Sequence, residues 1–117
     1  MDEGDVIARR MLEKDEEIFQ VLIYRPERDD DGDYVCTWTL VNEASEVVVL
    51  GGMYGVDSIQ ALLGAIMFAG MHIEAESGEF TFLGMESIGF PRLIDPDHPG
   101  GPSWYIPETN PQQDHPS

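Results

Sequence analysis

The stretch DSIQALLGAIMFAGM, residues 57–71, decides the fold of this chain. Asp57 is a good helix N-cap, because its carboxylate can accept hydrogen bonds from free N–H groups of the first turn, and Gln60 occupies the capping-box position. The apolar face that we predict for this helix consists of Ile59, Leu62, Leu63, Ile66, Met67 and Met71. Little polar surface remains, so we expect the helix to be buried on most sides. Gly64 should allow another element to approach closely, and Gly70 should mark fraying or the end of the helix.

The segments around this helix favour strands. Four strands are predicted before it and one after it, at residues 6–13, 18–24, 34–41, 46–50 and 79–83. The third strand alternates: Tyr34, Cys36, Trp38 and Leu40 share one face, and two threonines lie on the other. Polar turns are expected at 14–17 and 27–33, and Gly51-Gly52 should end the fourth strand. This order predicts an α+β fold, with an antiparallel sheet of about five strands and one largely buried helix packed on one face.

Proline divides the chain into two parts. Seven of the eight prolines lie between Pro91 and Pro116. Proline lacks the N–H donor that helices and sheet ladders need, so this region should be extended and irregular. We therefore predict a single α+β domain over residues 1–94 and a Pro-rich tail over residues 95–117.

The charge of the chain restricts its partners. The sequence has 23 acidic against 6 basic side chains, a formal net charge of −17, and Arg92 is the one base after Asp29. Such a surface repels nucleic-acid phosphates and anionic lipid headgroups and attracts cations or a basic protein. We expect a basic protein partner and neither nucleic acid nor membrane. The alternative is that the acidity serves only solubility.

Cellular location follows from what the sequence lacks. No Lys/Arg-led apolar run opens the chain, and the apolar run 59–73 is shorter than the roughly 20 residues that span a bilayer. The single Cys36 cannot form an internal disulfide and fits a reducing compartment. These features are typical of a cytoplasmic, bacterial protein.

No catalytic, cofactor-binding or metal-binding residue is predicted. The only lysine is Lys14, so no phosphate-binding loop can be built, and the three histidines lack metal-ligand spacing. The loop 29–33 fits a calcium loop poorly, because Trp38 stands where a bidentate glutamate is needed. Cys36 lies on an apolar strand face as a packed small hydrophobe, and His72 should help to cap the carbonyl groups at the helix end.

Two segments are candidates for partner binding. The first is an acidic loop, formed by Asp29, Asp30, Asp31 and Asp33, which would steer a basic partner. The second is an apolar cluster fenced by prolines in the tail, formed by Trp104, Tyr105 and Ile106, which would anchor it. The alternatives are an ordinary hairpin loop and a cluster that folds back onto the protein's own sheet.

The run YGVDSIQAL, residues 54–62, with FLG at 82–84 and GFP at 89–91, resembles a family of small uncharacterised bacterial domains. The opening residues 7–10 also resemble the start of that family, and the likeness covers about residues 6–91. The resemblance implies an α+β fold and carries no catalytic residues over to this chain.

Three functions remain open from the sequence. The first is an immunity-type protein that neutralises a basic, nucleic-acid-targeting toxin by presenting a polyanionic surface. The second is a housekeeping or assembly protein, with a homodimer formed through a sheet edge as one version. The third is an enzyme whose site would be built around His72, Cys36 or a buried Asp57.

Overall fold

A meander of antiparallel strands forms the body of the protein. The computed structural model describes residues 5–76, 79–84, 88–93 and 104–105. The strands are β1 (Val6–Lys14), β2 (Glu17–Tyr24), β3 (Glu27–Arg28), β4 (Tyr34–Val41), β5 (Val47–Gly55), β6 (Arg92–Leu93) and β7 (Trp104–Tyr105). The single described helix, α1 (Ser58–Glu76), packs on the sheet, which confirms the predicted α+β class.

The order of strands in the five-stranded sheet is β1-β2-β4-β5, and the short β3 pairs with the beginning of β4. In the register of the central pair, Val21 faces Leu40 and Ile23 faces Trp38. On the other side of β4, Cys36 faces Met53 and Trp38 faces Gly51. β1 and β5 are therefore the two edges of this sheet.

The core lies between the sheet and α1. Alternate residues of the central strands point toward the helix, and they join Leu12 of β1 in one buried cluster. The predicted face of β4 is confirmed, because Cys36, Trp38 and Leu40 belong to this cluster. A smaller cluster of Leu22, Tyr24 and Val41 forms on the opposite face, where Thr39 is buried and shares a 3.3 Å hydrogen bond with the Tyr24 hydroxyl.

α1 turns its small residues to the sheet. Ala61, Ala65 and Ala69 are completely buried, and these short side chains let the helix lie close to the strands. The predicted apolar face is wrong in part: Ile59, Leu63 and Met71 are exposed to solvent. These larger side chains lie on the flank of the helix, because α1 can approach the sheet more closely with its alanines facing the strands.

The glycines of α1 play different parts from those predicted. The helix continues through Gly70 to Glu76, and a Cβ on Gly70 would overlap with the side chain of Phe90, whose Cγ would lie at 2.9 Å. At Gly64, a Cβ would meet only the flexible side chain of Met53, at 3.4 Å. Of these two glycines, Gly70 is therefore the one that a neighbouring segment approaches closely.

Strand boundaries differ from the prediction in three places. β5 runs through Gly51-Gly52 because the Trp38 indole occupies the space above Gly51, where a Cβ would lie 2.5 Å from the ring. Within the loop predicted over 27–33, Glu27–Arg28 form β3. Within the predicted strand 79–83, only Thr81 and Phe82 take part in bridges, and Thr81 pairs with Glu13.

Part of the predicted tail forms regular structure. Trp104 pairs with Leu93 and Tyr105 pairs with Arg92, so β6 and β7 form a two-stranded antiparallel sheet. The backbone of the predicted cluster 104–106 thus turns back onto its own chain at its first two residues, and Ile106 lies outside the described residues.

By length and composition alone, α1 is apolar enough to cross a membrane over Ser58–Ala75. From the sequence, the shorter run 59–73 is predicted not to span a bilayer. Core helices of globular domains meet the same criterion. α1 is such a helix, since its alanine stripe is buried against β4 and β5.

Candidate protein-binding surfaces

The acidic loop lies at the tip of the β3–β4 hairpin. One of its four carboxylates makes hydrogen bonds within the turn, and the other three are exposed. Oδ1 of Asp29 accepts hydrogen bonds from the backbone N–H groups of Asp31, at 2.9 Å, and Asp33, at 3.1 Å. Asp29 is half-buried, whereas Asp30, Asp31 and Asp33 are exposed. Asp29 therefore holds the turn, and its three neighbours present the charge.

The structure also assembles an acidic surface that the sequence analysis missed. The backbone N–H of Ile18 donates to Oε2 of Glu43 at 2.8 Å, and that of Glu43 donates to Oε2 of Glu17 at 3.5 Å. These bonds join the β1–β2 turn to the β4–β5 turn. We call the resulting surface the acidic end, and it consists of Asp15, Glu16, Glu17, Glu43 and Glu46. The two turns are distant in the sequence, and they come together because β2 pairs with β4. A prediction of that strand pairing would have been needed to find this surface.

The described residues do not bring a set of metal-ligating side chains together at either acidic surface. Within 5–76, 79–84 and 88–93, no group of three or more metal-ligating side chains converges on one point. The Asp29 oxygen that a cation would need is instead occupied by backbone N–H groups. What the loop offers is an exposed negative field.

A largely apolar surface, with Asp57 as its one carboxylate, lies along β5 and the flank of α1. We call it the β5–α1 face, and its exposed apolar residues are Val47, Val48, Leu50, Tyr54, Val56, Ile59, Leu63, Phe68 and Met71. Between the strand and the helix runs an open groove of about 590 Å³, lined by Met53, Tyr54, Ile59, Leu63 and Met67 among others. So many exposed apolar side chains along one strand and the adjoining helix are typical of protein–protein contacts.

A smaller concavity of about 220 Å³ lies on the other side of α1, where Arg10 meets the segment 88–91. The Arg10 Nη1 donates to the carbonyl oxygen of Ile88 at 2.9 Å. Its guanidinium also lies 4.1 Å from the ring centre of Phe82 and 5.3 Å from that of Phe90. Burial lowers the pKa of Arg10. Arg10 thus ties β1 to the segment that follows the helix.

The three side chains considered for catalysis, Cys36, Asp57 and His72, each contact other groups of the protein. The Cys36 thiol is buried and donates to the carbonyl oxygen of Tyr24 at 3.2 Å, and burial raises its pKa to about 11. Asp57 is exposed and caps α1. The His72 ring lies 5.7 Å from that of Trp38, one turn before the helix ends. A thiol with a raised pKa is a poor nucleophile.

The comparison with known families fits this arrangement. A family model described as a domain of unknown function, DUF6968, matches residues 8–92. The chain belongs to the DUF6968 family. The DUF6968 domain thus spans the sheet, α1 and the beginning of β6, while β7 lies beyond the matched residues. No curated protein and no solved structure matches the chain.

Proposed function

We propose that this DUF6968 protein is a small, non-catalytic binding protein that captures a basic protein partner in a bacterial cytoplasm. In its most specific form it is an immunity-type inhibitor of a basic toxin that attacks nucleic acids. The observation that carries the proposal is the grouping of exposed carboxylates into two surfaces, the acidic end and the tip of the β3–β4 hairpin.

The two surfaces lie at opposite ends of β4, because the β3–β4 turn precedes this strand and the β4–β5 turn follows it. An eight-residue strand is about 27 Å long. Negative charge at both ends of that span suits a partner with an extended basic surface, such as a cleft that binds nucleic acid. Steering of this kind raises association rates by about 10–10³.

The environments of Cys36 and Asp57 support a non-catalytic role. Each of these groups is engaged in a hydrogen bond with the backbone of the protein itself. General acid–base or nucleophilic chemistry requires a group that is directed toward a substrate.

The proposal is tested by affinity capture from the native organism, followed by stopped-flow kinetics with the captured basic protein. The variant Asp30→Asn/Asp31→Asn/Asp33→Asn keeps Asp29 and hence the turn. We expect it, and the variant Asp15→Asn/Glu16→Gln, to slow association about tenfold. The double variant Glu13→Gln/Glu27→Gln removes two charges, as Asp15→Asn/Glu16→Gln does, and as the control for that variant it should have a smaller effect.

Salt provides an independent measurement. Raising it from about 0.15 M to about 1 M shortens the Debye length from about 8 Å to about 3 Å. The association rate should fall while the dissociation rate changes less. Association that ignores both salt and the carboxylate variants would overturn the proposal. For the toxin form, co-expression should restore growth to cells that produce the captured partner.

The apolar cluster of the tail belongs to the same proposal. If Trp104 anchors the partner, Trp104→Ala should speed dissociation and leave the association rate unchanged. An assembly role is the second candidate function, and the β5–α1 face is the observation that favours it.

A further inference from the structure

The two edges of the sheet are protected differently. β1 carries charged residues along its length, including Arg9, Glu13 and Lys14, and Glu13 also pairs with Thr81. β5 has the sequence VVVLGGMYG, without charge or proline, and pairs only with β4 among the described residues. Natural proteins guard exposed edges with charge, proline or a covering segment. β5 has no charge and no proline, and no strand among the described residues covers it.

The charge distribution of the chain singles out the same region. Between Val47 and Ile73, Asp57 is the only charged residue in a protein of net charge −17. The Asp57 carboxylate faces the first turn of α1, where the Gln60 N–H donates to it at 2.8 Å. The β5–α1 face is therefore where two equally acidic molecules can meet with little direct repulsion.

We propose that the β5–α1 face binds a second copy of this chain. The β5 strands of the two copies pair antiparallel across a two-fold axis, which extends one sheet through both molecules. This places the two α1 helices side by side on the same face of the extended sheet. The contact is distinct from the acidic surfaces of the proposed function and does not depend on them.

Helix spacing supports this arrangement. α1 packs over both β4 and β5, so its axis lies about half a strand spacing inside the edge. With neighbouring strands about 4.8 Å apart, the two helix axes would be about 10 Å apart. Packed helices lie about 8–10 Å apart. The exposed side chains of Ile59, Leu63 and Met71 would fill the space between the helices.

The antiparallel direction also keeps the acidic ends of the two copies apart. The acidic end lies at the beginning of β5, next to Val47, and α1 begins at the other end, after Gly55. In the antiparallel pair, the acidic end of one copy lies beside the helix start of the other. The two acidic ends then point away from each other.

Sedimentation equilibrium of the full chain tests the proposal. We expect a mass of twice 13.1 kDa, and we expect added salt to tighten the dimer because it screens repulsion between like-charged copies. The salt response is opposite to that of a complex with a basic partner, so each proposal can fail without the other.

Two substitutions address the two parts of the interface. Leu50→Lys puts a charge on the edge strand, and Ile59→Glu puts one between the helices; both residues are more than 60% exposed, so the monomer should still fold. Each should weaken the dimer about tenfold or more. Met11→Glu, at a residue 53% exposed on the other edge, is the matched control and should leave the dimer constant unchanged.

A mass of 13.1 kDa at all concentrations up to about 1 mM would overturn the proposal. So would a dimer that Met11→Glu breaks and the two β5–α1 variants leave intact. Binding of a different protein to the β5–α1 face of a monomer would also overturn it.

Discussion

Asp57 and Gln60 fix the start of α1 through two hydrogen bonds that run in opposite directions. The Gln60 N–H donates to Oδ1 of Asp57 at 2.8 Å, and the Val56 N–H donates to Oε1 of Gln60 at 2.7 Å. This is the reciprocal arrangement of a capping box, in which each side chain satisfies a backbone donor near the other residue. The geometry gives Asp57 a structural role.

Asp57→Ala should lower the free energy of unfolding by about 0.5–2 kcal/mol, because an N–H group of the first turn loses its acceptor. Urea denaturation of the wild type and the variant measures this difference. In a double-mutant cycle, Gln60→Ala should show a coupling energy with Asp57→Ala. Loss of partner binding at unchanged stability would contradict the structural role.

Cys36 gives the stability of the protein a dependence on alkaline pH. Burial raises the pKa of the folded thiol from its ordinary value of 9.0 to about 11. Between these values the unfolded chain loses the thiol proton while the folded protein keeps it, so stability should fall as pH rises. The measurement is urea denaturation at intervals from pH 8 to pH 11. Cys36→Ala should show a shallower decline, and equal slopes would contradict this explanation.

At the scale of elements, the position of α1 depends on the contact between Gly70 and Phe90. Gly70→Ala should destabilise the protein by about 1–3 kcal/mol, because the added methyl group overlaps with Phe90 and the helix or the segment 88–91 must move. Gly64→Ala is the matched control. It should be neutral or stabilising by up to about 1 kcal/mol, since alanine favours helix and the neighbouring Met53 is flexible. Thermal denaturation distinguishes the two, and the reverse order of stabilities would contradict the packing described.

Elements with a clear local signal could be predicted from the sequence. The capping residues located the start of α1, and the alternation in β4 located its buried face. The helix face was harder, because α1 is apolar on nearly all sides, and its orientation depends on how closely the alanines approach the sheet. The extension of β5 through Gly51 was hidden because it depends on the Trp38 indole, a contact across strands.

The candidate surfaces follow the same rule. The acidic loop could be found because its four aspartates are neighbours in sequence. The acidic end could not be found in this way, because Glu17 and Glu43 are far apart in the sequence and meet only when β2 pairs with β4. The β5–α1 face was missed because its exposed residues, such as Ile59 and Leu63, were assigned to the core. Apolar composition alone does not distinguish a core residue from a contact residue.

At the scale of the whole molecule, the net charge of −17 should prevent binding to nucleic acid. Non-specific binding depends on lysine and arginine contacts that release counterions from the phosphates. We expect no binding of fluorescent DNA or RNA duplexes in polarisation measurements at about 0.15 M salt and up to about 100 μM protein. Binding at micromolar concentration would show that the few basic residues, such as Arg9 and Lys14, form an effective patch.

The segment that follows α1 contacts β1, which lies about 70 residues earlier in the chain. It holds β1 through the Glu13–Thr81 bridge and the Arg10–Ile88 hydrogen bond, whereas the strands of the meander are joined mainly by short hairpins. Such a segment can open as a cooperative unit while the rest of the molecule stays folded. In native-state hydrogen exchange, the amides of Glu13 and Thr81 should therefore share one opening free energy, below that of the β2–β4 ladder. The part of the β1 edge at Glu13 would then be free to pair with another strand, but only for as long as this unit is open.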